Sequence, residues 1–179
     1  RGWFRNDIKE GPLEYYSISH YGDNEIIASG LYRNGLKEGE WTHSGGYQYG
    51  KGNYVHGKKE GTWLYYDTEL GDNLYMKANF VAGIAEGLFE KYSDEGIPLA
   101  TGKMIKGQPA GIWRIYHDDG SLSACGELVF NPDTVIIDPE LSDINNELYR
   151  IELDCDPMYS TEDKNGEWRY YWGNATLSS

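Results

Sequence analysis

The sequence predicts an all-β chain: an elongated, twisted antiparallel sheet of tandem β-hairpin repeats with a modified C-terminal region. Three observations carry that prediction. A Gly-x-x-Glu-Gly segment recurs as Gly35-Leu36-Lys37-Glu38-Gly39, Gly57-Lys58-Lys59-Glu60-Gly61 and Gly83-Ile84-Ala85-Glu86-Gly87, and a fourth copy, Gly107-Gln108-Pro109-Ala110-Gly111, keeps the glycines and loses the glutamate. Two residues after each closing glycine stands a large apolar side chain: Leu13, Trp41, Trp63, Phe89 and Trp113. No stretch holds a 3.6-residue apolar period long enough to make a helix. The closing glycines at 11, 39, 61, 87 and 111 are 28, 22, 26 and 24 residues apart, and such a period marks one supersecondary unit stacked repeatedly.

Each unit reads strand, turn, strand, turn. The first strand runs on from the closing glycine through the large apolar residue to a tyrosine three positions later: Tyr16, Tyr66, Tyr92 and Tyr116, with Ser44 in the second copy. A turn follows at Gly22-Asp23, Gly45-Gly46, Gly71-Asp72, Glu95-Gly96 and Asp119-Gly120. The second strand carries Tyr32, Tyr54, Phe80 or Met104 three residues before the next Gly-x-x-x-Gly. Aromatic and β-branched runs bounded by glycine are strand signals, and glycine supplies the positive φ of tight turns. The same glycine spacing serves membrane helix pairs, but only inside a long apolar run, and here its flanks are Lys, Glu and Asn. Segments such as Trp63-Leu64-Tyr65-Tyr66 are apolar on both faces, so alternation leaves open which face is buried.

The regular repeats span 2–130 of a single domain covering 1–179. Residues 2–11 align with 30–39 without a gap and share six of ten residues, so the chain is expected to open within a unit, on a second strand whose partner is absent. Trimming, proteolysis or processing are the alternatives, and neither an initiator Met nor a signal peptide is visible. At the far end, 157–179 holds a terminal repeat strand and tail, with Gly166-Glu167-Trp168-Arg169-Tyr170-Tyr171 matching the first-strand template. Trp113 and Trp168 are 55 residues apart, about two repeat lengths. Residues 131–156 are therefore an acidic insertion, an eroded repeat or a cap that closes the array. Val135-Ile136-Ile137 and 149–154 read as strands, with a turn or a short helical turn over 140–145 between them.

The 179 residues bury a real core, and the 16 Tyr and 6 Trp point to a thin core of stacked rings. The net charge of −13 is uneven: residues 1–60 carry eight basic and eight acidic side chains, 61–130 five and ten, and 131–179 three and eleven. Such a field repels phosphate backbones and anionic lipid and attracts basic partners. It also keeps an aromatic-rich sheet soluble. The expectation is a protein partner, a basic toxin or effector, with no nucleic acid and no membrane insertion. The candidate contact residues are Asp138, Glu140, Asp143, Glu147, Glu152, Asp154 and Asp156.

No catalytic, metal or cofactor site is expected. His20, His43, His56 and His117 are widely spaced and lack a ligand pattern, and surface residence is the expectation for all four. The pairs Asp94-Glu95 and Asp118-Asp119 precede turn glycines, where Asp favours the turn through its own backbone bonds. Cys125 and Cys155 flank the acidic region; a disulfide closing that loop and two separate thiols both fit. Asn174-Ala175-Thr176 fits a glycosylation sequon, a short pattern with many chance matches. Glu10, Glu38, Glu60 and Glu86 recur at one place in the unit, as an acidic ladder along one edge or as solvation for a turn.

With Gly-x-Trp-x-x-Tyr, a turn glycine, Gly-x-Tyr/Phe and Gly-x-x-x-Gly in series, the chain resembles MORN repeats, in the divergent bacterial form often described as antitoxin or immunity components. The resemblance covers 2–130 well and 156–172 in part. It implies a sheet of hairpins without enzymatic activity. The localisation is left open, with the bacterial cytoplasm slightly favoured over the periplasm. A lipid-binding role departs from the −13 charge. The function expected is neutralisation of a cognate toxin through an acidic surface; a structural scaffold or an accessory domain of a larger protein is the alternative.

Overall fold

The computed structural model describes residues 2–17, 26–45, 48–67, 72–128, 168–172 and 176–177, the last two segments by backbone pairing alone. Among these residues the strands are β1 (Gly2–Arg5), β2 (Ile8–Tyr16), β3 (Ile26–Arg33), β4 (Leu36–Gly45), β5 (Gln48–Val55), β6 (Lys58–Asp67), β7 (Asn73–Val81), β8 (Ile84–Tyr92), β9 (Pro98–Ile105), β10 (Gln108–Tyr116), β11 (Leu122–Leu128), β12 (Trp168–Trp172) and β13 (Thr176–Leu177). Each pairs antiparallel with the next in sequence, giving one open meander, and no helix occurs among the described residues. The sheet is the array of tandem hairpins that the period predicts.

The two glycines of each motif do different things. The first lies in a two-residue turn. Asn34 and Gly35 have φ of 50° and 80°, and His56-Gly57, Ala82-Gly83 and Lys106-Gly107 repeat those values closely. Two successive positive φ angles define the type I′ turn, whose twist matches that of the strands it joins. The second glycine lies inside a strand at a bulge: Gly39 has φ 71°, and the β3–β4 pairing jumps from Gly30↔Trp41 to Leu31↔Glu38. The motif is thus a turn followed by a bulge, where the sequence suggested a turn alone. At the opposite edge, Gly96 and Gly120 close the turns from β8 to β9 and from β10 to β11, with Gly96 N donating to Ser93 O and Gly120 N donating to His117 O.

One face of the sheet is buried, and its central row alternates large and small. Along the register it reads Leu13, Gly30, Trp41, Gly52, Trp63, Ala78, Phe89, Gly102, Trp113, Gly126. Each indole lies flat over the glycine of the preceding strand. A Cβ at Gly30 would meet the Trp41 ring at 2.2 Å, one at Gly52 the Trp63 ring at 2.5 Å, and one at Gly102 the Trp113 ring at 2.1 Å. Where the large residue is Phe89 rather than Trp, the small one is Ala78, so ring size and floor compensate. Trp63 and Tyr65 are fully buried and Leu64 and Tyr66 sit on the other face, which settles the alternation left open by sequence.

β11 and β12 are direct neighbours, with Ala124↔Tyr170, Cys125↔Arg169 and Gly126↔Trp168 in register. Trp168 therefore stands opposite a small residue, as Trp41 stands opposite Gly30. Residues 129–167 connect these two strands at the edge where the other units have two-residue turns, and they lie outside the described residues.

Candidate functional site

The acidic residues proposed for partner contact, Asp138, Glu140, Asp143, Glu147, Glu152, Asp154 and Asp156, lie outside the described residues, as does Cys155. Cys125 is half-buried on β11, on the face opposite the core, in register with Arg114 and Arg169.

The recurring glutamates have a specific role. Glu10 Oε2 accepts from Asn34 N at 2.8 Å, Glu38 Oε2 from His56 N at 2.9 Å, Glu60 Oε2 from Ala82 N at 2.8 Å and Glu86 Oε2 from Lys106 N at 2.7 Å. Each carboxylate holds the first residue of the next unit's turn. The second residue of that turn is held by main chain: Gly35 N donates to Lys9 O, Gly57 N to Lys37 O, Gly83 N to Lys59 O and Gly107 N to Ala85 O. The row is neither a free acidic ladder nor mere turn solvation. It laces unit to unit, each carboxylate bonding a backbone N–H of an exposed turn in the next unit. Ala110 stands where the next glutamate would, and the segment that follows β11, 129–167, lies outside the described residues.

On the buried face, lysines roof the rings in the first three units. Lys9 Nζ lies 4.9 Å from the Tyr32 ring centroid, Lys37 Nζ 4.8 Å from both Trp41 and Tyr54, and Lys59 Nζ 4.9 Å from both Trp63 and Phe80. Trp41 Nε1 donates to Leu31 O and Trp63 Nε1 to Asn53 O, which pins both indoles. Burial pushes the Tyr32 hydroxyl well up, and its hydrogen-bonded neighbour Tyr15 adds to this. Burial also acts upward on Tyr15, but hydrogen bonds with Lys9 and Tyr32 and the nearby lysine charges outweigh it and pull that hydroxyl down.

His43 belongs to this cluster, against the expectation of surface residence. Its ring stacks on Trp41 at 5.5 Å and on Trp63 at 5.9 Å, with Tyr54 edge-on at 5.7 Å. Burial first, then the charges of Lys37 and Lys59, depress its pKa to about 3.

The edge joining first to second strands is acidic. Asp72, Asp94, Glu95, Asp118 and Asp119 are exposed there, and the described turn residues at this edge include no Lys or Arg. Asp119 serves its own turn, accepting from Ser121 N and Ser121 Oγ, and these bonds hold its carboxyl below the usual range. At the opposite edge the side chains beside the type I′ turns mix exposed apolar residues, Ile8, Leu36, Val55, Val81 and Ile84, with exposed Arg5, Arg33 and Lys58. No cluster of His, Cys, Asp or Glu suited to a metal occurs among the described residues, and no described helix is long and apolar enough to cross a membrane.

The fold defines a class, the tandem β-hairpin repeat protein. No protein-family model and no curated protein matches the chain.

Proposed function

We propose that this chain is a non-enzymatic, protein-binding repeat protein of divergent MORN type that acts as an immunity or antitoxin protein and covers a basic surface of its toxin. The observation that carries the reading is the row of exposed carboxylates at Asp72, Asp94, Glu95, Asp118 and Asp119 along one edge. Successive units place such turns about 10 Å apart, two strand spacings, so their fields overlap within roughly one Debye length. The net charge of −13, with eleven acidic residues in 131–179, has the same sign. An extended acidic edge raises the association rate of a basic partner more than its final affinity.

The test is co-expression with the neighbouring gene product in a growth assay. Growth arrest without this chain and rescue with it support immunity; a harmless neighbour sinks it. Neutralising Asp94, Glu95, Asp118 and Asp119 together, or Asp138, Glu140, Asp143 and Glu147 together, then shows which acidic surface steers. The set that matters lowers the association rate about tenfold and flattens its salt dependence.

A second reading, a structural scaffold, is favoured by the exposed row of Leu36, Val55, Val81 and Ile84. Concentration-dependent self-association that Val81→Lys abolishes would select it.

A further inference from the structure

The roof lysines keep a fixed relation to the residue six positions later. Lys9 Nζ donates to the Tyr15 hydroxyl at 2.8 Å, and Lys59 Nζ donates to the Tyr65 hydroxyl at 3.2 Å. In the unit between them, six residues after Lys37, the position holds His43 instead. The imidazole fills the space of a tyrosine ring, inclined only 18° to Trp41 and 28° to Trp63. Its Nε2 is buried and has no hydrogen-bond partner among the described residues.

We propose that His43 is an acid-sensitive seam in the array: its protonated form does not fit the packing of β4 against β5 and β6, and the folded array loses stability as the pH falls.

The groups facing His43 set the direction. Lys37 comes from its own strand, Tyr54 from β5, and Lys59 from β6, beside the Trp63 and Tyr65 rings; Tyr32 of β3 packs edge-on against Trp41. The charges in its field are Lys37 and Lys59, both positive. Indole faces attract an imidazolium ion, but Trp41 and Trp63 are already engaged by these two ammonium groups. A third cation would enter a site where the buried Nε2 has no acceptor among the described residues, which penalises the charged form. Folded His43 thus stays neutral down to about pH 3. In the unfolded chain it takes up its proton below about pH 6.5. The unfolded state therefore binds more protons between these values, and stability is lost as pH falls through that window.

The experiment compares the wild type with His43→Tyr, which restores the pattern of the flanking units, and with His43→Phe. Urea denaturation at pH 7.5 and 4.5 reads the folding equilibrium of each. Carboxylate titration is common to all three, so the difference between them isolates His43. The wild type is expected to lose about 100-fold more in its folding constant over this interval than either variant. An equal loss in all three overturns the proposal. Should neither variant fold, the imidazole carbon resonance of His43 in the wild type decides. A flat shift from pH 7.5 to 4.5 upholds the seam, and a midpoint within a unit of about 6.5 overturns it.

Discussion

From β2 to β6 the buried face is built of Tyr32, Trp41, His43, Tyr54, Trp63 and Tyr65 under a roof of Lys9, Lys37 and Lys59. From β8 to β11 the corresponding positions hold Phe89, Met104, Trp113 and Leu128, and the lysine positions are Ala85 and Pro109. The backbone is the same in both halves: the same type I′ turns, bulges and turn-to-turn bonds recur from Asn34 to Lys106. In the first half the indole N–H groups of Trp41 and Trp63 reach carbonyl oxygens, whereas the buried Trp113 Nε1 has no partner among the described residues. The hairpin unit therefore tolerates two chemistries above its floor. It is strict only about the floor itself, where an indole requires a missing Cβ and the smaller Phe89 ring accepts Ala78.

That difference can be broken at Phe89. Phe89→Trp should cost about 1–3 kcal/mol, because the larger ring meets the Ala78 Cβ. Adding Ala78→Gly should recover most of it, since the pair then matches Gly52 and Trp63. Urea denaturation of both single variants and the double gives the coupling, and additive effects would refute compensation. The lysine roof is next: Lys59→Ala should cost about 1–2 kcal/mol by the same measurement, given its contacts with three rings. Replacing Lys106, in an exposed turn of the second half, should stay within about 0.5 kcal/mol.

The lacing glutamates sharpen the contrast further. Glu60→Ala should cost about 1 kcal/mol by freeing the Ala82 N–H, while Ala110→Glu should gain nothing, because β11 and β12 are joined by residues 129–167 and not by two residues. A gain from Ala110→Glu would mean that the 129–167 connection starts with such a turn. A modest gain is expected at the turn itself. Ala82 holds φ 51°, a left-handed conformation that asparagine tolerates better, so Ala82→Asn should raise stability by about 0.5–1 kcal/mol. A thermal melt resolves that shift.

Much of this was legible in the sequence because the signals are local. The strands, the turn glycines and the Trp row follow from residues a few positions apart. The glutamate caps were visible as a recurrence, but not as hydrogen bonds, since each reaches a turn roughly 20 residues on. His43 read as a surface histidine because nothing next to it in the chain marks it. Its neighbours Trp63 and Lys59 come from a strand two places away in the sheet. The acidic residues from Asp138 to Asp156 remain a reading from sequence alone.

By itself, the sequence determined the fold class, the period and the hairpin meander, because turn chemistry and strand propensity act over short distances. Tertiary structure decided which face is buried, why glycine or alanine must lie beneath each ring, what the glutamates hold and where His43 sits. Those depend on cross-strand register, and a single residue's slip would send every side chain to the other face.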